Sequence, residues 1–435
     1  MVSSSAPRVS VVNFNSPELN QLALALARDD RLAALVRPYL NKQRTWERWL
    51  ASVPLAGSAY QQTFGRRLAL DETLAVLTDE AGVLPDILAA VIGRTQWMSP
   101  AARRNLTARL HKQVREAVAR RACNWVERSD CIVGYEGFAL PAFTKAKALG
   151  QRAAVLNYPV AHHQQRRRVR LAEVAREPAF ETTWPDFDDW PAGHEQRLDD
   201  EIGLADAILV GSTYAADSFV AAGIARSKMR VVPYGVDLQT FRPDGASTAT
   251  RPGFEVIYAG QLTQRKGLSY LLRGYQRFAR AGSRLTLVGS AVGNPSALAP
   301  FAHLFEHVPH QTRPALAERY RAADVFVFPT LIEGMPLVVL EAMACGLPVI
   351  VTANGPGDIV RDGVEGFVIP ERDDEAVADR LDRLYRDPAL RLSMGQAAAQ
   401  RAKEFSWHAY ANKAMAVLTD VSQQRLVGST APALA

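Results

Sequence analysis

The clearest hydrophobic pattern lies between residues 254 and about 370. Short apolar runs alternate there with stretches in which apolar residues recur every three or four positions. FEVIYAG (254–260) predicts a buried strand, and LSYLLRGYQRFARAG (268–282) an amphipathic helix. RLTLVGS (284–290) predicts a strand, PALAERYRAA (314–323) a helix and DVFVFP (324–329) another strand. LVVLEAMAC (337–345) is apolar all round and predicts a buried helix, before the strands LPVIVTA (347–353) and GFVIP (366–370). Continuous apolar strands separated by helices indicate βαβ units and a parallel sheet covered on both faces.

The first half repeats this pattern more loosely. VSVVNF (9–14), CIVGYE (131–136), RAAVLNYP (152–159), AILVGS (207–212) and MRVVPYG (229–235) read as strands. Ser16-Pro17 starts a helix after the first of them, with an N-cap followed by a proline in the first turn. Residues 40 to 128 are Arg- and Ala-rich and read as mostly helical, an elaboration of the first domain. TFRPDGASTATRPG (240–253) reads as a linker. The expected divisions are 1–243, 244–404, and a C-terminal helix and tail over 405–435. The fold class is α/β, with two Rossmann-like, doubly wound domains. Such domains bind ligands at the carboxyl ends of their strands, here expected to face each other across a cleft.

A chain of 435 residues suits two cores, and 48% hydrophobic with 22% charged residues is a globular composition. Cys123, Cys131 and Cys345 have neither paired nor metal-ligand spacing, so free thiols in a reducing compartment are expected. MVSSSAPRVSVVNF lacks a basic region followed by a long apolar run, and no apolar stretch approaches the ~20 residues that span a bilayer. A soluble, cytoplasmic protein is expected. The net charge of +6 suits anionic small molecules or an anionic membrane surface, and is too weak to indicate nucleic acid. QQRRRVR (164–170) reads either as a solvated helix face or as a contact for an anionic acceptor or leaflet. Trp46 and Trp49, amid Arg44 and Arg48, suit a membrane surface and a plain amphipathic helix equally.

Candidate chemistry sits at the ends of the predicted strands. After DVFVFPT, Leu331 to Gly334 make a turn, and Pro336 fits the first turn of the next helix. Glu333 stands in the turn, and Glu341 follows eight positions later inside an apolar helix, where a lone charge is costly unless partnered. Its side chain leans toward the helix mouth. Two acceptor-only carboxylates suit a hydroxyl-rich ligand such as a sugar or ribose, and the free amides of Gly334, Met335 and Leu337 suit a phosphate. The competing reading pairs Glu341 with a core arginine and leaves Glu333 an exposed turn residue. In YAGQLTQRKG (258–267) the strand ends at Gly260, and Arg265 and Lys266 stand beside a helix start, either solvated or facing an anionic diphosphate. His162 and His163 follow the strand of RAAVLNYP and are either structural or substrate-facing; adjacent imidazoles without a ligand cluster do not suggest a metal.

FPTLIEGMPLVVLEAMACGLPVIVTANGPGDIV resembles the E-x7-E segment of the large retaining glycosyltransferase family of GT-B fold, family 4. The likeness extends to GQLTQRKG, LVGS, LAERYRAADVFVFPT, DGVEGFVIP and FSWHAYA, and to residues 209–243. It is strong from about 200 to 420 and weak before 130. The resemblance implies transfer of a sugar from a nucleotide-diphosphate sugar to an acceptor hydroxyl, with retention and without a metal or cofactor. It implies that Glu333 contacts the donor sugar and Glu341 the ribose. Lys266 and the amides after Gly334 would hold the diphosphate, with Arg265, Gln261, Gly260, Met335, Pro336 and Leu337 lining the donor site. His162 or His163 would correspond to the family's first-domain histidine. The C-terminal helices would cross back to the first domain. Gln261 stands where the family usually has Arg, and FNSPELN lacks the usual Gly-Gly loop after the first strand. These departures support a degenerate sugar-nucleotide-binding scaffold as the alternative; another GT-B enzyme, such as a nucleotide-sugar epimerase or a phosphorylase, is the alternative among enzymes.

Overall fold

The computed structural model describes residues 6–53, 60, 64, 71–93, 95, 97–184, 193–244 and 253–430. Residues 245–252 of the expected linker lie outside the described residues, as do 54–59, 61–63, 65–70, 94 and 96 of the stretch read as helical. The chain divides into two compact units. One comprises Met1–Tyr158, Ala192–Leu209 and Ala411–Ala435, and the other Pro159–Pro191 and Val210–Tyr410.

The apolar runs form two sheets. In the first, β1 (Val9–Val12), β2 (Leu32–Arg37), β3 (Thr78–Glu80), β4 (Cys131–Tyr135), β5 (Ala153–Asn157), β6 (Ala207–Val210) and β7 (Met229–Val231) take the order 3-2-1-4-5-6-7. In the second, β8 (Phe254–Ala259), β9 (Ser283–Val288), β10 (Glu306–Val308), β11 (Val325–Phe328), β12 (Val349–Thr352) and β13 (Gly366–Ile369) take the order 10-9-8-11-12-13. Pairing is parallel, with Val256 of β8 opposite both Leu285 of β9 and Val325 of β11. Both are doubly wound α/β sheets, as expected. β1, β5, β6, β11 and β12 are buried along their whole length, and β4 up to the partly buried Tyr135, which is why they read as unbroken apolar runs.

Residues 40 to 128, read as mostly helical, are so among the described residues except at one strand. Helices Thr45–Ser52, Glu72–Val76, Val83–Ile92 and Pro100–Ala122 occupy the region, but β3 is a strand within it, with Thr78 paired to Leu35 of β2. A three-residue edge strand shows no period long enough to register in a sequence. β2 and β10 were not expected either. On helix Thr45–Ser52, Trp46 and Trp49 face solvent while Glu47 is buried and accepts the Tyr39 hydroxyl at 2.7 Å. The last helix, Trp407–Thr430, belongs from Ala411 onward to the first unit, where Arg31 donates to Thr419 Oγ1 at 3.1 Å. This matches the expected return to the first domain. No helix among the described residues is long and apolar enough to cross a membrane.

In the first unit, Glu201 is fully buried and caps the start of helix Leu140–Leu149. It accepts the amides of Gly137, Ala139 and Leu140 at 2.6, 2.8 and 2.9 Å. Burial pushes its carboxyl up to about 7, against the pull of those amides and of Arg197. Truncating this side chain leaves the three amide donors unpaired. Glu201→Ala is expected to cost on the order of 3 kcal/mol. Denaturant unfolding checks this, and an unchanged midpoint would mean that the amides find other partners.

Candidate donor site at the carboxyl end of the second sheet

The order 10-9-8-11-12-13 places a topological switch between β8 and β11. The chain leaves β8 toward β9 and leaves β11 toward β12, so the loops after these adjacent strands diverge and open a crevice at their carboxyl ends. Arg265 and Lys266 stand on the first of these loops, and Glu333 on the second.

Local chemistry fixes both loops. Thr263 accepts the Arg265 amide with its hydroxyl at 3.3 Å and starts the single turn Gln264–Lys266. Gly267 ends the turn at φ 73°, and a Cβ there would lie 1.9 Å from the Pro329 carbonyl, so β11's loop leaves no room for another residue. The Leu331 amide donates to the Arg265 carbonyl at 3.0 Å, stitching the two loops together. Gly334 packs against the Pro159 carbonyl, where a Cβ would come within 1.8 Å. Helix Leu337–Ala344 follows Pro336, and Gly346 at φ 89° stops it.

The loops converge on a carboxylate shared by two cations. Glu333 Oε1 accepts Lys266 Nζ and lies 2.7 Å from the Arg265 guanidinium, which also donates to the Ile332 carbonyl at 3.2 Å. Lys266 also sits over the Phe328 ring at 5.0 Å. Burial, with Arg265 adding repulsion, pushes the Lys266 ammonium well below its ordinary value. Burial also lowers Arg265 to about 10, with Arg166 adding repulsion against the phenolic Tyr258. Two cations and one carboxylate leave the pocket one positive charge in excess. The amides of Gly334, Met335, Leu337 and Val338 donate to no group among the described residues, and they surround the start of helix Leu337–Ala344.

Glu341 lies inside that helix and is 8% exposed. It accepts no hydrogen bond from the described residues, and its one ion contact is the half-exposed Arg313 at 3.7 Å. Burial raises its carboxyl to about 7, opposed by Arg313 and reinforced by Asp237. Arg313, which also lies over the Phe241 ring at 5.4 Å, carried no sequence signal, being 28 residues away on another helix.

The remaining candidates take different places. Gln261 is exposed, and its carbonyl accepts the Tyr258 hydroxyl at 2.6 Å. Gly260 turns the chain at φ 144°. The Met335 thioether accepts the Tyr234 amide at 2.9 Å. His162 caps helix His163–Arg176, accepting the Gln164 amide at 3.2 Å, and its ring lies tilted against that of His163 with centroids 4.1 Å apart. Burial and Arg166 lower His162 to about 4, so it is a neutral base at physiological pH. The basic run 164–170 is split: Arg167 and Arg168 face solvent, whereas Arg166 turns inward.

The two doubly wound sheets have the GT-B architecture, and the comparisons agree on the fold. Residues 253–387 match the family described as glycosyl transferases group 1, so the chain carries a domain of that type. It is 35% identical over 231 residues to the D-inositol 3-phosphate glycosyltransferase of Pseudarthrobacter chlorophenolicus, covering 49% of this chain and 54% of that protein. With the enzyme of the same name from Frankia alni it shares 36% over 207 residues, covering 42% and 51%. The chain therefore spans about half the length of the curated relatives it matches. Sucrose-phosphate synthase from Thermosynechococcus elongatus superposes with a TM-score of 0.62 at 18% identity, covering 97% of this chain and 99% of that one. Anabaena HepE in complex with UDP and glucose gives 0.61 at 13%, covering 95% and 99%. At such identities these structures establish the fold.

The raised Glu341 carboxyl makes a signed prediction. In the folded state it holds its proton to about 7, whereas the unfolded chain releases it near the ordinary carboxylate value of 4.5. The folded state binds more protons in that window, so this group's contribution to stability falls as pH rises from 4.5 to 7. Thermal melts of wild type and Glu341→Gln at both ends of the window read the difference. The variant is expected to gain relative stability at the higher pH; a pH-independent gap would contradict the assignment.

Proposed function

We propose that the protein transfers a sugar from a nucleotide-diphosphate sugar to an acceptor hydroxyl, with retention at the anomeric carbon. The observation that carries this reading is the convergence of Arg265, Lys266 and four unpartnered amides on the crevice between β8 and β11, with Glu333 among them. The excess positive charge and the helix start suit a diphosphate. A UDP-bound neighbour of the same fold, Anabaena HepE, supports a nucleotide donor.

In this reading the diphosphate competes with Glu333 for Arg265 and Lys266. Glu333 is then released to accept hydroxyls of the donor sugar, and Glu341 accepts the ribose hydroxyls. The bond from the anomeric carbon to the diphosphate oxygen breaks as the acceptor oxygen bonds to that carbon on the same face. The acceptor's proton passes to the departing phosphate oxygen, so no protein base is consumed. Preorganised cations and amides that meet the charge growing on the leaving group supply the main stabilisation. The degenerate-scaffold reading rested on Gln261 and the missing glycines, and the intact Lys266–Glu333–Arg265 cluster weighs against it.

Nucleotide release from UDP-, GDP-, ADP- and dTDP-sugars tests the proposal. One donor is expected to turn over. Lys266→Ala should slow that reaction by roughly 100-fold or more, the scale for losing one preorganised donor to a developing oxyanion. Glu333→Gln should remove turnover and leave nucleotide binding in place. Unchanged turnover in Glu333→Gln would refute its role, and no binding of any nucleotide by the wild type would refute the site.

A further inference from the structure

Gln264, the residue before the two cations, is almost wholly buried, and every polar group of its side chain is engaged. Its amide nitrogen donates to Glu173 Oε1 at 2.7 Å and to Ser269 Oγ at 2.6 Å, and its carbonyl oxygen accepts the Ser269 amide at 3.0 Å. Its backbone amide donates to Thr183 Oγ1 at 3.0 Å. Glu173, on helix His163–Arg176, is 1% exposed. It also accepts the Tyr270 hydroxyl at 2.9 Å, and with its other oxygen the Arg372 guanidinium at 2.8 Å.

The connection does not stop there. Arg372 donates to Glu371, and the other oxygen of Glu371 accepts the Asn354 side-chain amide at 2.5 Å. Asn354 donates in turn to the Leu331 carbonyl at 2.9 Å. Leu331 opens the turn that carries Glu333, and its own amide returns to the Arg265 carbonyl at 3.0 Å. The bonds therefore form a closed ring through Gln264, Glu173, Arg372, Glu371, Asn354, Leu331 and Arg265. The ring has the cation loop on one side and the Glu333 loop on the other. Arg372 has φ 62°, a left-handed conformation that a non-glycine residue keeps only where its surroundings hold it.

We propose that Glu173 is a positioning residue for the reaction: as acceptor for both Gln264 and Arg372, it holds the Lys266 turn and the Glu333 turn in fixed relation. The proposal rests on the function proposed above only for its consequence in turnover. Glu173 lies outside the segment that matches the glycosyltransferase domain and has no motif of its own, yet it completes the ring that spans both loops. A diphosphate must displace Glu333 from Lys266 without moving either loop, and a ring anchored on a buried carboxylate provides that rigidity. A small misplacement of either loop separates the leaving-group cations from the sugar contact, and such errors lower turnover steeply.

Two substitutions open the ring at different points. Glu173→Gln keeps a carbonyl for Gln264 or Tyr270 but turns an amide NH2, a donor, toward Arg372. Asn354→Ala cuts the ring at a half-buried side chain on the far side, where folding is least at risk. Hydrogen exchange of the protein without nucleotide is read first. In both variants, segments 261–270 and 329–336 are expected to exchange roughly tenfold faster together, with β8 and β11 unchanged. Acceleration confined to the segment nearest the substitution, or spread through the sheet, would overturn the proposal. In turnover, Glu173→Gln should lower kcat roughly tenfold with little change in the donor KM, and have no further effect in a Lys266→Ala background. Multiplying effects there would mean that Glu173 supports the fold alone. If the wild type releases nucleotide from no donor, the proposed function falls, and the exchange result still decides the role of Glu173.

Discussion

The site depends on one ionic contact, the Glu333 carboxylate held between Lys266 and Arg265. None of the three side chains is freely solvated, so none is stable there without the others. Removing a cation leaves a buried carboxylate short of partners, and removing the carboxylate leaves two cations repelling each other. The cluster is thus charged and fixed in place, and in the proposed function an anion replaces Glu333 as partner. The dry surroundings that make the contact costly also strengthen each ionic contact made inside them.

The second sheet makes the contact available. β8 and β11 are neighbours whose chains leave in opposite directions, so their loops meet at the carboxyl ends without covering each other. Gly267 and Gly334 let the backbones approach where a Cβ would strike a carbonyl. The short helix after Glu333 then presents unpaired amides where the cations already point. The charge pattern of the crevice is a consequence of sheet topology, with two glycines as its steric condition.

Much of this was legible from pattern. β8, β11 and the helix Leu337–Ala344 are unbroken apolar runs, and charged residues just past such strands fall at the switch point wherever the order reverses. Lys266, Arg265, Glu333 and Glu341 could therefore be picked out from their positions. β3 and β10 could not, because three residues at a sheet edge show no period. Nor could Glu173, Asn354, Arg372 or Arg313. Glu173 meets Arg372 across 199 residues and Gln264 across 91, separations at which a sequence records no pairing. The paired histidines show the opposite case, a conspicuous motif in which His162 spends its ring nitrogen capping a helix.

In the proposed function Lys266 and the amides after Glu333 hold the second phosphate of the donor. Calorimetric titration of wild type and Lys266→Met with UDP and with UMP tests it most directly. The account predicts that the wild type prefers the diphosphate by roughly tenfold or more, and that the variant loses most of that preference while still binding UMP. An equal preference for UDP over UMP in both proteins would contradict it, because the β-phosphate would then be held by groups other than these.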